Sequence, residues 1–280
     1  MILPTDYQPA DSNMESEAIP EGPSLEAQVK ELFGPDGLLS QASNFEYRQP
    51  QQAMATGVIR ALEAGKNCVV EAGTGVGKSL AYLIPAILFG QAHHRKALIC
   101  THTINLQEQL AEKDLPMLQR ILPVDFSYTL LKGRGNYLCT RRLARALQRA
   151  DGLFTSPEIA ELKRVESWAK ETTDGSLSDF DLEPDPKVWE AVASERGLCS
   201  PKLCGRGSES ASLYGECFFQ KARRRFMAAD VLVLNHALFF SNLTLGLAGY
   251  MDEEEDPGEG LIFRNDFAIF DEAQHLDRVA

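Results

Sequence analysis

The chain has 280 residues, six cysteines and a formal net charge of −12. Its longest apolar run, Leu80 to Phe89, is broken by Pro85 and is too short to span a bilayer. No secretory signal opens the chain, so membrane and secreted classes are set aside and a soluble, cytoplasmic protein is expected. An acidic balance also excludes a uniformly basic surface, so a nucleic-acid partner would need local basic patches.

In chain order, residues 1–44 are polar, acidic and dotted with prolines, which predicts a flexible arm carrying one short helix around Leu25 to Phe33. Residues 45–130 open with Phe45-Glu46-Tyr47-Arg48-Gln49-Pro50-Gln51, the start of a helix. A Gln amide donates and accepts together, so Gln51 is a candidate reader of the adenine edge; alone, an exposed helix start reads the same way. The apolar triplet Cys68-Val69-Val70 predicts a buried strand running into Ala72-Gly73-Thr74-Gly75-Val76-Gly77-Lys78-Ser79. Small residues there let backbone N–H groups turn onto an anion, and the next helix adds its dipole. Lys78 then reaches the β/γ-phosphates, and the Ser79 hydroxyl is placed to ligate Mg²⁺. Leu80 to Phe89 is the buried helix that follows.

A second strand is expected at Lys96–Cys100, ending in Thr101-His102-Thr103 before a helical stretch. Thr101 and Thr103 are candidates to bond a nucleic-acid backbone, and equally plain helix caps. Residues 131–230 break the strand–helix rhythm, with one clear helix from Ser156-Pro157 through Trp168; Trp168 and Trp189 are expected core. Residues 231–280 return to it with strands near Val231 and Ile269. The last strand runs into Asp271-Glu272-Ala273-Gln274: Asp271 would hold Mg²⁺ through its water shell, and Glu272 would orient and deprotonate the attacking water. Strand–helix alternation of this kind predicts an α/β fold on a parallel sheet.

Cys68 and Cys100 fall inside apolar strand patterns and are read as core. Cys139, Cys199, Cys204 and Cys217 lie between the two strand regions and make one four-thiolate site. A cytosolic compartment argues against disulfides. Zinc and an iron–sulfur cluster both remain open, although the distant first cysteine and the irregular spacing suit a [4Fe–4S] cluster better than paired Cys-x-x-Cys zinc ligands. Lys132, Arg134, Arg141, Arg142, Arg145 and Arg149 flank one of these cysteines, and Lys221, Arg223, Arg224 and Arg225 another. With Tyr137, Phe218 and Phe219 interleaved, the patch suits single-stranded DNA, where rings stack on bases; core packing is the competing use of those rings.

Taken in order, RxxQ (Arg48 and Gln51), AGTGVGKS, THT and DEA resemble the first motor domain of superfamily-two helicases. Lys132-Gly133-Arg134-Gly135-Asn136-Tyr137-Leu138-Cys139, the pair Cys199 and Cys204, Cys217-Phe218-Phe219-Gln220-Lys221-Ala222-Arg223 and Val231-to-Leu238 with its Asn235-His236 narrow this to the iron–sulfur helicases of the DinG, YoaA and XPD group, most like its bacterial branch. The resemblance implies a RecA-like motor domain built from 45–130 and 231–280, with an inserted iron–sulfur domain at 131–230. It implies ATP, Mg²⁺ and a 4Fe–4S cluster as cofactors, and 5′-to-3′ unwinding of single-stranded or forked DNA. Arg48 joins the nucleotide-binding set on the same ground. Gln274 stands where this group carries His, with His275 one place later, and the Gly-Ser-rich loop between Cys204 and Cys217 is longer than expected. An arch domain, a second motor domain and the arginines that complete the ATP site are not found, so these residues are expected to bind ATP without unwinding DNA. The reading from another class is an ATP-responsive, zinc-bearing DNA-binding module or scaffold that never translocates.

Overall fold

The structure, a computed structural model, describes residues 22–41, 46–195, 201–204, 207, 212, 215–249 and 266–278. The strands β1 (Ala97–Thr101), β2 (Tyr128–Leu130), β3 (Val231–Asn235) and β4 (Phe267–Phe270) form one parallel sheet in the order β2-β3-β1-β4. The register pairs Ala97 with both Val231 and Phe267, so β1, β3 and β4 end together at Cys100–Thr101, Leu234–Asn235 and Phe270.

Alternation along the strands sorts the core. Ala97, Ile99, Val231, Val233, Phe267 and Ile269 face one apolar cluster, and Leu98, Cys100, Leu232, Leu234 and Phe270 face another on the opposite side. A parallel sheet covered on both faces reads as near-continuous apolar runs for this reason. On the first face lie α1 (Leu25–Leu32), α2 (Gln49–Glu63) and α3 (Lys78–His93). The second face is closed by the helix Phe218–Ala228 and by Phe239 of the helix His236–Gly249.

Apolar on every side, α3 is buried from Ala81 to Gly90, as expected of a helix with no polar face. Each of its large side chains contributes about 1.5–3 kcal/mol by leaving water. Its far end turns at once through His94, and the backbone N–H of Arg95 donates to Gly90 O at 2.9 Å. A Cβ on Gly90 would sit 2.7 Å from Arg95 O, so this reversal requires glycine.

Two expectations change. Cys68–Val70 is not a buried strand: Cys68 is exposed, Val69 is 98% exposed and no ladder bonds reach the segment. An apolar triplet becomes a strand only where a neighbour supplies hydrogen-bond partners, and among the described residues β4 does not pair with it. Residues 25–41 are not a free arm, since Val29, Leu32, Phe33 and Leu39 join the core under α2 and α3. The short helix itself forms, capped by Ser24, whose side chain accepts from Ala27 N. Residues 1–21 lie outside the described residues.

A third apolar cluster holds Leu138, Leu143, Leu162, Val165, Val188, Trp189 and Val192 between the helices Thr140–Gln148, Ser156–Ala169 and Pro186–Val192. The second of these starts as expected at Ser156-Pro157, with a capping box between Thr155 and Glu158. Trp168 stacks on Phe180 with ring centroids 3.7 Å apart, and Trp189 is buried with its indole N–H donating to Gly135 O. Among the described residues no helix is long and apolar enough to cross a membrane.

Candidate nucleotide site and cysteine region

The phosphate loop forms a turn from Thr74 to Gly77 that feeds directly into α3. Gly75 and Gly77 have φ of +79° and +82°, a left-handed backbone open to glycine at little cost. A side chain at Gly77 would also collide with Gln51, whose Nε2 would lie 2.2 Å from the added Cβ. The loop therefore holds its shape by backbone conformation and by two side chains from the α2 region. Gln51 is buried and donates from Nε2 to Gly77 O at 2.9 Å, and Arg48 donates from Nη1 to Gly75 O. An amide N–H of Gln51 is thus engaged by the loop's carbonyl. Arg48, Pro50, Thr74, Gly75 and Val76 line an open cleft of about 380 Å³ beside it. Lys78 folds back, its Nζ donating to Ala72 O at 3.1 Å.

The acidic box lies at the same sheet end. Phe89, near the far end of α3, packs edge-on against Phe267 at the start of β4, while Tyr82, near the beginning of α3, touches Asp271 just past the end of β4. Helix and strand run oppositely and are pinned at both ends, which brings the phosphate loop to the acidic box. The Tyr82 hydroxyl donates to Asp271 Oδ2 at 3.0 Å, and the backbone N–H of Glu272 donates to Asp271 Oδ1 at 2.8 Å. Burial and the neighbouring Asp271 carboxylate push the Tyr82 hydroxyl well above the usual phenol range, so it is a permanent donor. Glu272 takes a left-handed φ of +55°, uncommon outside glycine. Its Oε2 is buried without a hydrogen-bond partner among the described residues, which suits a carboxylate meant for a substrate water. Ser79 and Asp271 together offer a hydroxyl and a carboxylate, the hard oxygen donors that Mg²⁺ prefers, so the residues present fit that ion.

Histidines surround the box. His236, 1% exposed, places Nε2 at 2.9 Å from Asp271 O and 3.3 Å from Cys100 O. Both partners are carbonyls, so Nε2 carries the proton, and burial lowers the ring's pKa below the usual imidazole value. His275 stacks on His102 with centroids 4.3 Å apart. The imidazole one place after Gln274 therefore contacts the THT segment, while Gln274 itself is exposed. Thr101 is fully buried and Thr103 caps the helix Ile104–Gln109 by accepting from Leu106 N, so the cap reading holds for Thr103 and Thr101 is closed to a nucleic-acid backbone. Sequence reasoning did not single out Tyr82 or His236 as site groups; the available signal was one polar side chain inside each of two apolar runs.

The basic and aromatic residues near the cysteines are largely committed to packing. Tyr137 and Phe219 are buried and meet edge-to-face, 5.8 Å between centroids, so neither offers a face to a base. Arg134 lies over the Phe219 ring at 4.4 Å. Lys132 and Arg225 converge on Asp174, Arg142 reaches Ala193 O, Glu190 O and Glu195, Lys221 donates to Thr173 O, and Arg224 pairs with Glu216. Arg145 and Arg149 are exposed. Phe218 is half-buried against Gly175.

Cys139, Cys204 and Cys217 are all buried. Cys204 and Cys217 share the apolar cluster on the second face of the sheet, and Cys139 stands just before the helix Thr140–Gln148, outside that cluster. Cys199 lies outside the described residues. Among the described residues no three His, Cys, Asp or Glu side chains gather around one metal position. Burial raises the Cys100 thiol's pKa far above its usual value, in keeping with an inert core residue.

Residues 50–171 match the DEAD/DEAH box helicase family. The chain is 38% identical over 250 residues to the ATP-dependent DNA helicase YoaA of Escherichia coli, covering 89% of this chain and 36% of that protein. It is 35% identical over 258 residues to YoaA of Haemophilus influenzae, covering 91% and 37%, and 33% identical over 270 residues to the ATP-dependent DNA helicase DinG of Photobacterium profundum, covering 91% and 36%. The chain thus spans a little over a third of the length of these relatives.

Proposed function

On the premise that this is a DinG/YoaA-like chain with a DEAD/DEAH box helicase domain, we propose that it is the ATP-binding part of an ATP-dependent DNA helicase. The observation that carries the reading is the meeting of the phosphate loop with the acidic box through Tyr82 and Asp271, residues 189 apart in sequence. In this reading the loop's backbone from Ala72 to Gly77 cradles the phosphates, with Lys78 leaving Ala72 O for the β/γ-phosphates. Arg48 and Gln51 hold the loop open from the α2 side, and the cleft beside them takes the base. Ser79 and Asp271 hold Mg²⁺, which supplies charge neutralisation at the phosphates. Glu272 orients the attacking water and takes its proton.

For the full-length protein we propose unwinding in the 5′-to-3′ direction on single-stranded or forked DNA, in the cytoplasm, with 45–130 and 231–280 as motor and 131–230 as insert. Cys139, Cys199, Cys204 and Cys217 would hold a 4Fe–4S cluster within that insert, a proposal supported by the burial of the three described thiols. Its check is iron and acid-labile sulfide in anaerobically purified protein, four of each per chain and lost in Cys199→Ser.

The test of function is DNA-stimulated ATP hydrolysis by the full-length protein. Lys78→Ala and Glu272→Gln are each expected to lower it by at least about 10²-fold, the scale of losing one preorganised transition-state contact. Stimulation that survives Lys78→Ala would overturn the reading.

A further inference from the structure

Tyr82 is the one hydroxyl within the apolar stretch Leu80 to Phe89, and it is 3% exposed. A hydroxyl taken out of water at such a place is costly unless it is hydrogen-bonded. The partner it finds is Asp271, an acidic residue assigned to the metal ion. Its O–H donates to Asp271 Oδ2 at 3.0 Å. With Oδ1 held by the Glu272 N–H, both oxygens of the Asp271 carboxylate have a fixed donor, and the carboxylate cannot rotate without losing one.

We propose that Tyr82 is a positioning residue for the Mg²⁺ of bound nucleotide: its hydroxyl holds Asp271 and fixes the orientation of the carboxylate. The inference rests on the ATP reading above. Mg²⁺ demands near-ideal octahedral geometry and sheds its waters reluctantly, so an acidic residue that acts through that water shell must present its oxygens in one orientation. Groups that orient metal ligands from behind commonly change metal affinity by about 10–100-fold when removed. Phenylalanine fills the Tyr82 site with the same ring and deletes only the oxygen.

The experiment is a titration of a fluorescent ATP analogue into the 280-residue chain at increasing Mg²⁺, repeated in EDTA, for wild type, Tyr82→Phe, Asp271→Asn and the double variant, each with its melting temperature. Tyr82→Phe is expected to raise the Mg²⁺ needed for half-maximal binding by about 10-fold, with binding in EDTA unchanged. In the double variant the Tyr82 effect should vanish, because the two residues act as one unit. A Mg²⁺ requirement unchanged in Tyr82→Phe overturns the proposal. So does a loss that is equal with and without Mg²⁺, or one that adds fully to Asp271→Asn, since either would mark a packing role. Lys78→Ala distinguishes the two levels: if the wild type binds nucleotide no better than Lys78→Ala, the ATP reading itself fails and the Tyr82 role falls with it.

Discussion

The end of the sheet and the cysteine region use the same kinds of residues in opposite ways. At the sheet end, Gln51, Arg48 and His236 direct side-chain hydrogen bonds to backbone carbonyls, and Tyr82 and the Glu272 backbone N–H donate to the Asp271 carboxylate; these bonds set the shape of a loop and an acidic box. In the cysteine region, Lys132, Arg134, Arg142, Arg225, Tyr137 and Phe219 bind one another, a neighbouring acid or a helix end, and what they set is a fold. Polar side chains around a loop of fixed backbone make a site. The same density of charge and rings around helices makes a scaffold.

The sharpest way to break this contrast is to damage one core and ask whether the other notices. Ile84 on α3 and Leu162 in the third cluster are both fully buried, and truncation of either to alanine is expected to cost about 2–5 kcal/mol. Ile84→Ala should weaken nucleotide binding along with stability, because α3 carries Lys78, Ser79 and Tyr82. Leu162→Ala should remove hydrogen-exchange protection from residues 138–192 and leave nucleotide affinity within about twofold, if the two cores open as separate units. Loss of nucleotide binding in Leu162→Ala would show that they open as one.

A smaller effect is expected at Gly175, where φ is +68° and an added Cβ would lie 2.1 Å from the Phe218 ring. Gly175→Ala should therefore cost about 1–3 kcal/mol through overpacking and backbone strain. Thermal melting checks the cost, and the double variant Gly175→Ala with Phe218→Leu should recover part of it. An alanine tolerated without loss would mean that Phe218 does not pack there.

These outcomes bear on what the sequence could show. The phosphate loop, the acidic box and the strands at Leu98, Val231 and Ile269 were legible because they are written in backbone needs and in periodicity: glycines at left-handed φ, alternating faces, carboxylates at a strand end. Cys68–Val70 carries the same apolar pattern and forms no strand, since pairing depends on a neighbour that the local sequence does not describe. Strand β2 was missed because Tyr128–Leu130 is only three residues long and half-buried. Tyr137 and Phe219 could be read from the sequence as base-stacking rings although packing is the commoner use of aromatics, and burial decides for packing. Gln51 illustrates the same limit at the site: its position beside the loop was legible, but its partner, Gly77 O, depends on how α2 lies against α3.

Asp174 gives the next smaller effect. Burial works against its charge, yet hydrogen bonds from Ser176 and Arg225 and the proximity of Lys132 outweigh that and hold the carboxyl below its usual range. A depressed folded value means that the stabilisation is present above the unfolded pKa, about 3.9, and is lost as pH falls through the folded one. Asp174→Asn should therefore destabilise by on the order of 1 kcal/mol at neutral pH, the site being partly open to solvent, and the difference from wild type should shrink on acidification below about pH 4. A difference constant down to pH 2 would show that the charge contributes nothing.

The smallest effect tests the contrast within the phosphate loop itself. The helix on one side of it is buried from Ala81 to Gly90, whereas Val69 on the other side is 98% exposed. Val69→Ser should change stability by less than about 0.5 kcal/mol, as surface substitutions do, because no apolar contact is lost and no ladder bond depends on the residue. A cost near 1.5 kcal/mol or more, the scale of fully burying a valine, would mean that Cys68–Val70 is covered in solution. The loop would then be held from the strand side as firmly as from the helix side, and the hydrogen bonds from Arg48 and Gln51 would be reinforcement rather than the main restraint on its shape.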